Sequence, residues 1–202
     1  MTLGPGYFDA MYAAAADPWS LRTRWYEERK YAISAAMLPR RRYGDAFEPG
    51  CSVGVLTGML AGRCDRLLSC DLTPAAVQAA AEHTVNFPNV RVEHRIIPRD
   101  WPPGQFDLIV LSEFLYYFAG GDLDDVLDLV VTALRPSGAV LAAHWRHPVA
   151  EYPRSGDEVH AALASRAGLT RLASHDEPDF LAEVYLRGDG EPVSVAQAEG
   201  LV

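Results

Sequence analysis

From Asp45 onward, short apolar runs alternate with stretches of helical spacing, the pattern of a parallel sheet covered by helices. Residues 45–48 (DAFE) predict a first strand that ends at a small-residue loop, and residues 53–61 the helix that follows. Residues 66–70 (RLLSC) are a second strand closed by Asp71. Thr73-Pro74 then supplies an N-cap and a proline at the first helical position for AAVQAAAEH. Residues 90–97 (VRVEHRII) alternate, as a strand toward a sheet edge should. Residues 106–111 (FDLIVL) are almost continuously apolar, as in a central strand buried on both faces. Residues 122–134 have helical spacing with acids in the first turn, where the helix dipole favours them. Arg135-Pro136-Ser137-Gly138 breaks that helix, and residues 139–144 (AVLAAH) are a fifth strand. Residues 156–167 predict a helix capped by Ser155 or Asp157. Residues 169–175 and 180–187 are two strands joined by the turn-rich DEPD, a hairpin, so one of them runs antiparallel to the sheet.

The front of the chain lies outside this alternation. Residues 22–38 are a helical pattern preceded by Asp17-Pro18-Trp19, and such a helix packs as a lid or flank. Its Tyr26, Ile33 and Met37 share a face with Lys30, the chain's one lysine. The tail GDGEPVSVAQAEGLV has no period and is expected to be mobile. The expected organisation is a helical lid over 1–40, one Rossmann-like doubly wound α/β core over 41–187 and a tail over 188–202.

Composition narrows the class without naming a chemistry. The 202 residues suit one domain, and 49% apolar with 22% charged is ordinary for a soluble globular protein. No apolar run approaches the ~20 residues of a membrane span, and the first residues lack a signal-peptide pattern. Cys51, Cys64 and Cys70 are odd in number and without zinc-ligand spacing, which argues against a disulfide framework or a metal and suits a reducing cytoplasm. Charge is uneven: residues 1–100 hold 12 Lys and Arg against 11 Asp and Glu, residues 101–202 hold 6 against 16. An acidic half repels a phosphate backbone, so nucleic acid is not an expected partner. It reads either as solubility or as an acidic mouth for a cationic substrate.

The loop EPGCSVGVL, from Glu48, decides the cofactor class. Gly50-Cys51-Ser52-Val53-Gly54 is not the GxGxxG of dinucleotide folds, and GxxxxGK[ST] is absent. The arrangement fits S-adenosylmethionine instead. Glu48 at the strand end would sit near the ligand's amino group, Gly50 lets backbone approach the nucleoside, and Gly54 opens the helix. Asp71, with Leu72 beside it, is placed to accept both ribose hydroxyls. Cys51 and Ser52 keep the loop small, and Ser52 adds a hydroxyl for the methionine carboxylate.

The stretches YFDAMYAAAADPWSLRTRWYEERKY, EPGCSVGVLT, PRDWPPGQFDLIVLSEFLYYF, HWRHP and SGDEVHAAL resemble those of class I S-adenosylmethionine-dependent methyltransferases, and more narrowly of NodS-type N-methyltransferases. That family methylates the amino group of a glucosamine unit in lipochitooligosaccharides. The resemblance implies a seven-stranded sheet with its last strand antiparallel. It also implies cofactor contacts from Glu48, Gly50, Ser52, Gly54, Asp71 and the segment Pro98, Arg99, Asp100 and Trp101. Asp100 comes late for the adenine-holding acid of the wider superfamily, which leaves that contact to backbone groups and apolar packing.

An amine acceptor must lose its proton before it can attack, so an acidic pocket for an ammonium also calls for a base. Candidates lie at the strand ends, where the crevice of such sheets falls. His144 is the first choice for the base and His160 the second, with Tyr116 and Tyr117 as residues beside the methyl path. Ser112 and Glu113 follow the fourth strand: both are candidates for the cofactor, and Glu113 also for a substrate amine. Trp145, Arg146 and Asp157 are further substrate candidates. In the front helix, Trp19, Tyr26 and Arg29 are expected to close over the methionine end, with Arg29 or Lys30 pairing its carboxylate. The charge asymmetry favours a polyamino acceptor: an aminoglycoside-type antibiotic intermediate ahead of a chitooligosaccharide. O-methylation of a small metabolite and a silent S-adenosylmethionine-binding protein are the competing readings.

Overall fold

The computed structural model describes residues 1–202. Its elements, in chain order, are α1 (Pro5–Ala14), α2 (Trp25–Met37), β1 (Tyr43–Pro49), α3 (Val55–Ala61), β2 (Cys64–Asp71), α4 (Pro74–His83), β3 (Val90–His94) and β4 (Phe106–Ser112). They continue with a 3-10 turn (Leu115–Tyr117), α5 (Gly121–Ala133), β5 (Leu134–Trp145), α6 (Gly156–Ala164), β6 (Leu169–Asp176), β7 (Phe180–Arg187) and α7 (Val195–Ala198). The seven strands form one sheet in the order β3-β2-β1-β4-β5-β7-β6. Five are parallel, and β7 runs antiparallel to both β5 and β6.

Strand parity explains the apolar runs. Phe47, Ile109, Leu111, Val140 and Ala142 face one core, with α5 and α6. Ala46, Leu108, Val110, Ala139 and Leu141 face the other, with α2 and α3. A central strand buried on both faces has no polar side to show, hence FDLIVL. Sequence order reverses at β1, which has β2 on one side and β4 on the other, so the crevice opens beyond the carboxyl ends of β1 and β4.

Several boundaries shift for local reasons. The front helix begins at Trp25 because the Asp17 carboxylate accepts the N–H groups of Leu21 and Arg22 at 2.9 and 3.0 Å, folding those residues into a turn. Thr73 starts α4 without a side-chain cap, since its hydroxyl bonds Asp71 instead. Ser155 caps α6 in a reciprocal box with Glu158. β3 stops at His94, which releases Ile96 and Ile97 into the crevice. β5 begins at Leu134 with an irregularity before Ala139, where RPSG loops out around Ser137 at φ +58°. α1 lies outside the predicted elements; its Tyr7, Phe8, Met11 and Tyr12 share the face turned to the crevice. The tail carries the short α7, capped by Ser194. No helix is long and apolar enough to cross a membrane.

Candidate functional site

A cavity of about 730 Å³ occupies the crevice, closed on its open side by α1 and the start of α2. Its floor is the loop after β1. The Gly50 and Cys51 N–H groups donate to the Cys70 carbonyl at 2.8 and 3.0 Å, pinning the loop to the end of β2. Gly50 has φ +73°, and a Cβ there would stand 2.8 Å from the Phe114 ring. Gly54 has φ +80° and faces away from the cavity. Its missing side chain admits the backbone of α4, with Ala80 Cα 2.9 Å from where a Cβ would lie. Gly54 therefore serves helix packing and not ligand contact.

Two carboxylates stand at the strand ends. Glu48 is buried on the cavity wall, and its Oε2 accepts from Thr57 Oγ1 at 2.6 Å and Ser69 Oγ at 2.8 Å. Burial pushes its carboxyl up to about 7, against those two hydrogen bonds. No cation of the protein pairs with it. Asp71 Oδ1 accepts from the Thr73 N–H and hydroxyl at 3.0 and 2.7 Å, and its Oδ2 from the Ser52 N–H at 3.0 Å. Burial raises Asp71 above the ordinary carboxylate range while these donors oppose the shift. Its oxygens retain accepting capacity toward the cavity.

Ser52 adopts φ +50°, and its hydroxyl meets the Tyr12 hydroxyl of α1 at 2.6 Å. The serine thus ties the loop to the N-terminal helix and is already partnered, contrary to the expectation that it would offer its hydroxyl to a ligand carboxylate. Beyond β3, Ile96, Ile97 and Pro98 line the cavity with Leu72. Arg99, Asp100 and Trp101 do not. Asp100 turns back to accept the Ile96 N–H at 3.1 Å and pairs with Arg99, while Trp101 packs edge-on to Phe47 at 5.1 Å.

At the other end, Glu113 follows β4 with φ +51° and gathers three donors. Lys30 Nζ lies 2.5 Å from Oε1, the Trp145 N–H donates to Oε2 at 3.2 Å, and the Tyr116 hydroxyl donates to the same oxygen. Lys30 is buried and also stands 2.9 Å from Glu27. Burial alone would lower its ammonium, but Glu113 and Glu27 outweigh that and hold it above the usual lysine value. Tyr26, Tyr117, Tyr152, Trp145 and Ser112 line this end too, with Trp19 at the lid. The Tyr26 hydroxyl is buried without a partner.

The histidines lie elsewhere. His144 is fully buried and absent from the cavity wall. Its Nε2 accepts the Leu115 N–H at 3.1 Å, and its Nδ1 meets His160 Nε2 at 3.1 Å. His160 Nδ1 meets Glu183 Oε2 at 2.7 Å. Because Nε2 of His144 accepts a backbone N–H, the proton sits on Nδ1 and the ring is neutral. Burial, then His160 and Lys30, push it well below the ordinary histidine value. Burial alone would raise Glu183, but donors from His160, Tyr185 and Arg171 bring it down to about 2. The pair is a buried structural chain, and the expectation of a histidine base at either position is corrected accordingly.

Three further site candidates are also engaged away from the cavity. Arg29 forms a two-pronged pair with Glu177 at 2.7 and 2.9 Å. Arg146 bridges Asp157 and Asp176 at 2.9 and 2.5 Å. Sequence reasoning missed the α1 residues Tyr7, Phe8, Met11 and Tyr12, which cover the cavity, and Arg24 on its wall. Arg24 has no carboxylate partner, unlike Arg29. Only the non-repeating string YFDAMY hinted at α1.

The family described as Nodulation protein S (NodS) matches residues 10–164. The nodulation protein S of Bradyrhizobium diazoefficiens is 33% identical over 147 residues, 68% of this chain and 67% of that protein. That of Sinorhizobium fredii is 30% identical over 132 residues, 62% of this chain and 59% of that protein. The chain thus spans about two thirds or less of these relatives' lengths. A solved chain from Pseudomonas syringae is 46% identical with TM-score 0.73, covering 81% of this chain and 100% of that one. The N-methyltransferase NodS from Bradyrhizobium japonicum WM9, solved with S-adenosyl-L-homocysteine, has TM-score 0.81 over 90% of this chain and 97% of that one. At 23% identity, that likeness is one of fold.

Proposed function

This chain belongs to the NodS family of S-adenosylmethionine-dependent N-methyltransferases, and on that premise we propose that its acceptor is the primary amine of an amino sugar of the glucosamine type. The cavity fits the methyl donor on its own evidence. Glu48 is a buried carboxylate with no protein cation, suited to the donor's ammonium. Asp71 has accepting capacity left for ribose hydroxyls, and Leu72, Ile96, Ile97 and Pro98 supply an apolar bed for the base. Arg24, the unpaired cation on the wall, is the group to meet the carboxylate. Bound there, the donor supplies an activated methyl group on sulfur. The protein's part is to hold donor and acceptor in line and to exclude water beneath α1 and α2, which act as the lid.

The observation that supports this acceptor over a polycation is how few acids of the chain's acidic second half reach the cavity. Of the 16 acidic residues in the second half, only Glu113 and Asp122 line it. The rest include Asp107, Asp124, Asp128, Asp157, Asp176, Glu177 and Glu183, all paired with arginines. Seven of the 16 are thus taken up by arginines away from the cavity, which favours an acceptor with one ammonium over a polycation. This reading puts the glucosamine oligomer ahead of the aminoglycoside.

Incubation with labelled methyl donor and four acceptors tests it: a glucosamine oligomer with a free amine, an aminoglycoside, a phenol and a carboxylic acid. Label on the glucosamine oligomer is expected. Label only on the aminoglycoside would restore the polycation, and label only on the phenol or acid would overturn an amine acceptor.

A further inference from the structure

With the histidine pair sealed in the core, the acceptor's proton must leave by another route, and the end of β4 offers one. Tyr116 lines the cavity and donates its hydroxyl hydrogen to Glu113 Oε2, so the phenol oxygen keeps its lone pairs for a donor from the cavity. Glu113 is itself fixed: Lys30 Nζ at 2.5 Å holds one oxygen and the Trp145 N–H at 3.2 Å the other. Three donors already fill three of its roughly four accepting directions. The group formed by Glu27, Lys30 and Glu113 carries one carboxylate more than it has cations, so an arriving ammonium finds a net attraction.

We propose that Tyr116 and Glu113 form a proton relay that deprotonates the acceptor amine, with Lys30 as the residue that positions Glu113. The inference rests on the amine-methylating reading above. In the step, one N–H bond of the ammonium breaks and its electron pair stays on nitrogen. The proton joins the Tyr116 oxygen as that residue's own proton passes to Glu113 Oε2. Ammonium and carboxylate both become neutral, the phenol is regenerated, and the amine holds the lone pair that methyl transfer needs. Glu113 then returns its proton to water through the cavity mouth.

The titratable groups around Glu113 are Tyr26, Glu27, Lys30 and Tyr31 from α2, Tyr116 and Tyr117 from the 3-10 turn, His144 from β5 and Tyr152 ahead of α6. Burial raises the phenols and lowers His144, so neither kind changes charge between about pH 6 and 9.

The test is the pH dependence of kcat for Tyr116→Phe and Glu113→Gln on an amino-sugar acceptor, with S-adenosylhomocysteine affinity measured by calorimetry. A relay predicts a loss of roughly 100-fold near pH 7 in each variant. The loss should shrink as pH approaches the acceptor's own pKa, because more amine then arrives without its proton, and cofactor affinity should stay within about twofold. A structural role would give a loss constant across pH, and that result, or a loss below about threefold, overturns the relay. Should Tyr116→Phe fail to fold, the Glu113→Gln profile decides by the same criteria. If wild type methylates a hydroxyl and no amine, the acceptor reading falls and the relay with it. If wild type methylates the amine and the variants match it, only the relay falls.

Discussion

The Tyr12 hydroxyl meets Ser52 Oγ at 2.6 Å, fastening α1 to the loop that carries the cofactor side of the cavity. One neutral hydrogen bond is worth about 1 kcal/mol. Tyr12→Phe is therefore expected to raise the dissociation constant for S-adenosylhomocysteine about fivefold in calorimetry. Unchanged affinity would mean that α1 covers the site without this fastening.

Asp71 is the second fixed point of the cofactor side. Asp71→Asn keeps an acceptor for Thr73 but removes the charge and half the accepting capacity offered to a ribose. Cofactor affinity should fall by about 1–3 kcal/mol, the scale of a charged hydrogen bond. Calorimetry with S-adenosylhomocysteine checks it; full affinity would move the ribose away from the end of β2.

Glu48 links stability to pH. Its folded value of about 7 stands above the ordinary 4.5 of a free glutamate. Between those values the folded state holds more protons than the unfolded, so stability of the ligand-free protein falls as pH rises across that window. The full change is about 3 kcal/mol. Urea melts from pH 4.5 to 7.5 should show this fall and Glu48→Gln should lose it. The ionised carboxylate is the form that pairs with a ligand ammonium, so cofactor affinity should climb over the same window in wild type and stay flat in Glu48→Gln.

His144→Ala leaves the Leu115 N–H and His160 Nε2 without partners in the core. A cost of about 2–4 kcal/mol is expected in denaturant melts. The pH profile of kcat in the folded variant should match that of wild type. A profile that loses its acid limb, with melts unchanged, would return the base to His144.

The sheet was legible because burial on both faces writes itself into composition: FDLIVL and the alternation around it admit few other folds. Glu48 and Asp71 were legible because strand ends fix where their side chains stand, and Gly50 because the turn that leaves β1 needs a positive φ. What sequence could not show was direction and competition. His144 stands at the end of a strand as a base should, but its parity turns it toward α6 and into a chain with His160 and Glu183. Arg29 and Arg24 are equally basic on paper; a distant carboxylate, Glu177, takes the first and leaves the second to the cavity. α1 is harder to read because its one apolar face is only two turns long and stands ahead of the strand–helix alternation, with Gly4 in place of a side-chain cap. Ser52 looks like a ligand group in sequence because nothing local shows that Tyr12, 40 residues earlier, reaches it.

The central claim is that this cavity delivers a methyl group to nitrogen. The most direct measurement is the NMR spectrum of a glucosamine oligomer with one free amine after incubation with the protein and S-adenosylmethionine. A new methyl signal coupled to the carbon bearing nitrogen is the predicted result. A methyl on a hydroxyl oxygen, with the amine unchanged, would contradict it.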